Sequence, residues 1–271
     1  MERDDINKFL KGVSGAAFAL HEQADRVKKA IAPYEAQLRA ANEVVGRVTV
    51  SIAEVAHQVA PYLVELHRAL DELPERTRRE LELLAEHGWY IDPDMPCTAS
   101  TEYARLFMNG MDEEANNLLQ AYYDEHAQNV LYRLCERFPE RTEILRAAFS
   151  AHHNKEFSLS VPVFLAQADG ICKSLLGVQL YGKTKNGKST KVRDAVEKFE
   201  EDPFMESLLA PFLKPFAINS GPNQRSEGDL NRHAVLHGES VSYGTLRNSC
   251  KAMSLIAFTE WALSERFDVK G

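Results

Sequence analysis

Residues 231–238 read Asn-Arg-His-Ala-Val-Leu-His-Gly, and they gather one guanidinium, two imidazoles and one carboxamide within a short stretch. His233 and His237 are four residues apart, so they share a face if the stretch is helical. Arg232 lies about 140° from His237 around an ideal helix, and only its long side chain can bring the guanidinium back towards the imidazole. The stretch therefore predicts a helical site that holds one guanidinium and two imidazoles able to accept and donate protons.

A polar loop at residues 219–228 precedes this stretch and contains glycine and proline. Asp229 or Asn231 is suited to cap a helix that begins after the loop, because a side-chain oxygen at this position accepts a hydrogen bond from a free backbone N–H. The sequence therefore predicts a helix start close to Arg232.

The pattern Arg232-His233-x3-His237 resembles the motif of HEPN domains, written R-φ-x3-H, in which φ is a polar residue. HEPN domains are small helical bundles that are often dimeric. Many are metal-independent endoribonucleases whose arginine and histidine face a cleft between two protomers. The resemblance covers at most residues 147–267. It implies catalytic roles for Arg232 and His237, with His233 and Asn231 orienting them.

The same resemblance implies RNA as the substrate, a homodimer formed through the C-terminal bundle, and no cofactor or metal. A toxin or an antiviral-defence effector is the kind of nuclease expected. A catalytically silent HEPN-like binding module is the alternative function.

The chemistry of these residue types agrees with RNA cleavage. The 2′-hydroxyl must lose a proton before it attacks the adjacent phosphorus, and a histidine exchanges protons near neutral pH. An arginine holds a phosphate in a two-pronged contact and neutralises charge that develops on its oxygens. The alternative is structural: both imidazoles satisfy local hydrogen bonds and Arg232 forms a salt bridge.

The composition limits the function classes. The net charge of −8 excludes a surface built for non-specific nucleic-acid binding, which would be basic, but it leaves room for a local basic groove. The four cysteines are widely separated and lack metal-ligand or redox spacing, so we expect reduced thiols in a cytoplasmic protein. The chain lacks a run of about 20 apolar residues, so no membrane span is expected.

The clearest helical periodicity lies in residues 34–73, where Val, Ile and Leu recur at intervals of three and four across Pro61. This pattern predicts either one long kinked helix or two helices that meet at the proline. A long amphipathic helix usually packs within its own protein, which we favour here. It can also form a coiled-coil arm that binds a protein partner.

Similar spacing predicts further helices at residues 5–31, 74–86, 100–109, 112–138, 140–151, 157–180, 190–201, 203–216 and 245–267. The irregular stretch 88–96 marks the best internal boundary. The sequence therefore predicts an all-α helical bundle, with strand at most around Leu180. Residues 1–94 form a helical region that packs on or extends from a C-terminal bundle at 95–271.

Two residues outside the motif are candidates for a supporting role. Asp169 lies inside the most apolar predicted helix, where a buried carboxylate is costly without a partner. Either Asp169 turns to solvent or to a turn at Gly170, or it faces the region of Arg232 and His237 and orients them. Tyr243 either donates a hydrogen bond in the site or packs as an aromatic residue in a turn.

Residues 182–189 read Gly-Lys-Thr-Lys-Asn-Gly-Lys-Ser and match the phosphate-binding pattern G-x4-G-K-[ST]. That mechanism requires a strand before the loop and a parallel sheet beneath it. Residues 178–181 are the one candidate strand, and no second strand ends in a magnesium-binding Asp. We therefore favour a basic surface loop over a nucleotide site. In an RNA-binding protein, four lysines here are suited to contact phosphates: Lys183, Lys185, Lys188 and Lys191.

Overall fold

The computed structural model of the chain describes residues 28–30, 32–33, 50–182, 190–196, 203–213 and 230–264. Residues 28–30 and 32–33 are helical, and the other described residues form ten α-helices and one 3₁₀-helix at Pro139–Arg141. The α-helices are α1 (Val50–Glu86), α2 (Ala99–Met108), α3 (Asp112–Glu125), α4 (Ala127–Arg137), α5 (Thr142–His153), α6 (Phe157–Leu176), α7 (Lys191–Val196), α8 (Pro203–Leu213), α9 (Arg232–Leu236) and α10 (Leu246–Ser264). No strand occurs in the described ranges, and the predicted all-α fold is confirmed.

Helix α10 lies at the centre of the bundle. Every residue from Asn248 to Ser264 is buried, including the polar ones. Helix α6 packs along it, and α3 and α4 also contact it. Polar side chains in such a position need partners. Two of its serines bond back to the helix itself: Ser254 Oγ donates to the Lys251 carbonyl at 2.7 Å, and Ser264 Oγ to the Glu260 carbonyl at 3.0 Å.

Helix α1 is one continuous helix that contains both Pro61 and Pro74. Of the two alternatives predicted for residues 34–73, the structure shows one helix across Pro61, and residues 34–49 lie outside the described residues. Residues 74–86 are helical as predicted, but they continue the same helix and do not form a separate one. Its C-terminal part, from Thr77 onward, packs against α8 and α2. An ion pair between Arg78 and Glu206 joins it to α8. Tertiary packing of this part stabilises a helix that prolines would weaken in isolation.

Two other helix boundaries differ from prediction. The predicted helix at 112–138 is interrupted at His126, whose ring stacks on Tyr122 and whose Nδ1 donates to the Tyr122 carbonyl at 2.8 Å. This side-chain bond competes with the backbone at the helix end. The predicted helix at 157–180 ends at Leu176, because Gly177 adopts a left-handed conformation with φ 72°. Residues 178–181 then form turns, so the optional strand around Leu180 is absent.

One described helix, α6, has the length and apolar character of a membrane span. Half of its apolar window is buried inside the protein, against α10 and α5. A core helix of a folded domain has the same properties, so the finding fits its position in the bundle.

The segment after α1 is fixed by a buried ion pair. Asp92 is 1% exposed, and its Oδ2 accepts a hydrogen bond from Arg133 Nη2 at 2.5 Å. Asp94, at the surface, also pairs with Arg133. Burial lowers the pKa of Arg133, but the charge and hydrogen bond of Asp92, together with the charges of Glu260 and Asp94, outweigh that effect and raise it. The pair joins this segment to α4 and holds Trp89 and Tyr90 in the core.

Candidate functional site

The motif residues lie on the single-turn helix α9, and Asn231 caps it. Asn231 is buried, and its side-chain oxygen accepts from the Ala234 backbone N–H at 3.2 Å. The predicted helix start is therefore confirmed, with Asn231 as the capping residue. This bond engages the carboxamide oxygen, so Asn231 positions the start of α9.

The two imidazoles contact each other at the surface. The ring centroids of His233 and His237 are 4.3 Å apart, as their spacing of four residues predicts. His237 ends the helix and is exposed, and Gly238 follows with φ 72°. His233 Nε2 lies 3.9 Å from Glu239 Oε1, near the limit for an ion pair. The structure thus places two histidine rings and a carboxylate together on an open face.

The Arg232 side chain points to a different neighbour. Its Cζ lies 4.2 Å from the ring centroid of Tyr181, a distance typical of a cation–π contact. Arg232 is partly buried, and its Nε has no hydrogen-bond partner among the described residues. The Tyr181 hydroxyl donates to the Leu165 carbonyl of α6 at 3.1 Å. Tyr181 is therefore a fixed platform that holds the guanidinium.

Tyr181 is a functional candidate that the sequence did not reveal. Burial raises its pKa well above the ordinary range, and the neighbouring positive charge of Arg232 opposes that rise. The phenol consequently stays neutral and serves as an aromatic surface. Tyr181 and Arg232 are 51 residues apart in the chain, so no local spacing links them.

Asp169 supports this platform through the backbone. Its Oδ1 accepts a hydrogen bond from the Tyr181 N–H at 3.4 Å. The carboxylate lies close enough to raise the pKa of Tyr181. Asp169 therefore acts on the turn that carries Tyr181, whose ring contacts Arg232.

Tyr243 packs in a turn, one of the two alternatives considered for it. Its hydroxyl donates to the Ser158 carbonyl at 2.9 Å, and its own carbonyl accepts from Asn248 Nδ2 at 3.0 Å. These bonds join the segment after α9 to the first turns of α6 and α10. The hydroxyl is thereby engaged with the backbone.

Of the four lysines proposed to bind RNA, Lys191 is described. It begins α7 and is exposed, and its backbone N–H donates to the Gly182 carbonyl at 2.7 Å. Lys183, Lys185 and Lys188 lie outside the described residues, as does most of the phosphate-binding pattern. The required strand at 178–181 is a turn, and the described ranges hold no parallel sheet.

The described residues include no group of three or more His, Cys, Asp or Glu side chains suited to hold a metal ion. In comparisons with protein-family models, curated proteins and solved structures, this chain finds no match.

Proposed function

We propose that the chain is a metal-independent endoribonuclease of the HEPN type that acts as a homodimer. The observation that carries the proposal is the exposed His237 ring in contact with His233 on the helix that begins with Arg232. A ring buried in the apolar core would be useless for proton transfer to a polynucleotide. An accessible pair of imidazoles can reach one.

In the proposed reaction, His237 accepts the proton of the 2′-hydroxyl, and the resulting oxygen attacks the adjacent phosphorus. The bond from phosphorus to the 5′-oxygen breaks, and that oxygen takes up a proton as it leaves. The products are a 2′,3′-cyclic phosphate and a 5′-hydroxyl. Arg232 contacts the phosphate and neutralises the charge that builds on its oxygens.

The position of Arg232 supports this assignment in one respect. The contact with Tyr181 fixes the guanidinium, and a fixed charge costs less reorganisation in the transition state than a mobile one. The open face of α9 leaves room for a second protomer, whose own α9 would complete a cleft. An RNA backbone would then run between the two sites.

The test is cleavage of a single-stranded RNA by the purified protein in EDTA. His237→Ala and Arg232→Ala should each reduce the rate by at least about 100-fold, the usual scale for general acid–base catalysis. His67→Ala is the matched control, because His67 is an exposed histidine on α1 far along the chain from the motif. A substrate with 2′-deoxyribose at the cleaved position should be inert. Equal rates for the parent protein and His237→Ala would refute the proposal.

A second candidate function, a catalytically silent binding module, is favoured by the surface of α1. Its outer part carries exposed apolar side chains at Val59, Tyr62, Val64 and Leu66. Such residues on one helix are a common docking surface for a protein partner. This function predicts no RNA cleavage, and it predicts that Val59→Glu abolishes association with the partner while His237→Ala leaves association intact.

A further inference from the structure

A pocket of about 370 Å³ opens on the side of the bundle where α3, α4, α5 and α10 meet. Its volume falls in the range of small-molecule sites, roughly 300–1,000 Å³. The lining residues used below are Asp124, Glu125, Phe149, His152, Lys155 and Phe157. None of them belongs to the site on α9.

A chain of hydrogen bonds runs from this pocket into the core. His152 Nε2 lies 3.1 Å from Asp124 Oδ1, and His152 Nδ1 lies 2.8 Å from Ser249 Oγ. Ser249 Oγ in turn lies 2.7 Å from Ser160 Oγ. Asp124 is half-exposed at the pocket, whereas His152 and both serines are buried.

With a neutral His152 ring, the donors in this hydrogen-bond chain are assigned as follows, and the Ser160 hydroxyl is shared with the Phe157 carbonyl 3.4 Å away. The Asp124 carboxylate only accepts hydrogen bonds, so His152 donates through Nε2. The neutral ring then accepts at Nδ1 from the Ser249 hydroxyl, and Ser249 accepts from Ser160. Burial lowers the pKa of His152, although Asp124 opposes this, so the imidazole is neutral at pH 7. The chain therefore fixes Asp124 in place without cancelling its charge.

The charges around the pocket favour a cation. Asp124 and Glu125 project from α3, and Lys155 follows α5. His152 is neutral, and the exposed His153 also lines the pocket. Water screens the exposed charges of both signs, and the two carboxylates outnumber the single lysine. The fixed carboxylate of Asp124, supported by the buried chain behind it, is the dominant polar group.

The remaining wall is aromatic. Phe149 is buried, and Phe157 is partly buried and contacts the His152 ring edge-to-face, with centroids 5.7 Å apart. Aromatic faces attract organic cations and also bind an apolar group. Phenylalanine side chains offer no ligand atoms to a metal ion.

We infer that this pocket binds a small organic cation, a protonated amine attached to an apolar group. The ammonium pairs with Asp124, and the apolar group contacts Phe149 and Phe157. This site is separate from α9, and the inference does not rest on RNA cleavage.

The test uses three probes of similar size at pH 7, namely benzylamine, benzyl alcohol and benzoate, titrated into the full-length protein by calorimetry. Benzylamine should bind about tenfold or more tightly than benzyl alcohol, since a hydrogen bond to a charged partner has that effect, and benzoate should not bind. In heteronuclear NMR spectra, benzylamine should shift the backbone resonances of Phe157 and Leu246.

Asp124→Asn is the informative variant. The amide oxygen of Asn can still accept from His152 Nε2, so the hydrogen-bond chain is retained while the charge is lost. Benzylamine should then bind no more tightly than benzyl alcohol. Glu114→Gln is the matched control, because it removes an exposed carboxylate of the same helix outside the pocket and should leave binding unchanged.

Three outcomes would overturn the inference. They are the absence of saturable benzylamine binding, equal affinity for benzylamine and benzyl alcohol, and unchanged benzylamine affinity in Asp124→Asn. Thermal unfolding of each variant verifies that a loss of binding is not a loss of fold.

Discussion

The guanidinium of Arg232 lies over the ring of Tyr181, with Cζ 4.2 Å from the ring centroid. The contact joins the first residue of α9 to the turn that follows α6. Because the Tyr181 hydroxyl is bonded to α6 and its N–H to Asp169, the ring cannot move independently of that helix. The direction of Arg232 is therefore set by α6.

Two replacements of Tyr181 should distinguish the effect of its aromatic ring from the effect of its hydroxyl. Tyr181→Leu removes the aromatic face, worth about 0.5–2 kcal/mol to the guanidinium, and under the proposed nuclease function it should reduce RNA cleavage by about 2- to 30-fold. Tyr181→Phe keeps the face and should retain most of the activity, while the lost bond to Leu165 lowers stability by about 1 kcal/mol. Initial cleavage rates and denaturant unfolding measure the two effects. If both variants lose activity equally, the ring is not what positions Arg232.

The buried ion pair at Arg133 predicts unequal effects for its two aspartates. Asp92→Asn removes a charge that is 1% exposed and should lower the free energy of unfolding by about 3 kcal/mol. Asp94→Asn removes a partner that is 55% exposed and should cost less than about 1 kcal/mol. Urea denaturation of both variants provides the comparison. Similar losses would contradict the dominant role of Asp92.

Lys155 has a left-handed backbone conformation, φ 63°, at the end of α5. A residue that carries a Cβ atom is disfavoured in this conformation, whereas glycine is not. Lys155→Gly should therefore raise the free energy of unfolding by about 0.5–1 kcal/mol. Lys155→Ala removes the same charge but keeps Cβ, and it should leave stability nearly unchanged. If Lys155→Ala raises the free energy of unfolding as much as Lys155→Gly does, the lost lysine charge and not the backbone conformation explains the effect.

His152 predicts a pH dependence of stability. Burial lowers its pKa below the ordinary value of 6.5, so the unfolded chain binds a proton more readily than the folded protein does. The contribution of neutral His152 to the free energy of unfolding is fully present above about pH 6.5. It is lost as the pH falls through the pKa of His152 in the folded protein. Unfolding free energies at pH 7.5 and 5.5 should differ less in His152→Gln than in the parent protein. His153→Gln should reduce the difference far less, because the charge of His153 is the smallest of the effects that act on the pKa of His152.

Periodicity was sufficient to predict the all-α class and most of the described helices, and residue type limited the cap of α9 to Asp229 or Asn231. Sequence analysis failed where side chains far apart in sequence decide a boundary or a contact. Nothing near Pro74 shows that α8 will pack against α1 and pair with Arg78. The interruption at His126 has no glycine or proline signal, because it depends on a histidine bonding to the carbonyl of Tyr122.

In the candidate site, too, local spacing predicted the short-range contact and missed the long-range ones. The contact between His233 and His237 follows from a spacing of four residues, and the structure has it. Tyr181 was missed because its approach to Arg232 depends on the turn after α6. The hydrogen-bond chain from Asp124 to Ser160 was missed for a stronger reason: its four members come from four helices and lack local spacing.

Because α10 is buried along most of its length, it should be far less accessible to proteases and to deuterium exchange than the exposed part of α1. Amides of α10 can exchange only when the whole body opens, because neighbours cover the helix on every side. Most side chains between Val59 and Leu73 on α1 face water, so within the described ranges a protease should cut this part of α1 before it cuts α10. A brief digestion should therefore cleave the exposed part of α1 while α10 stays intact.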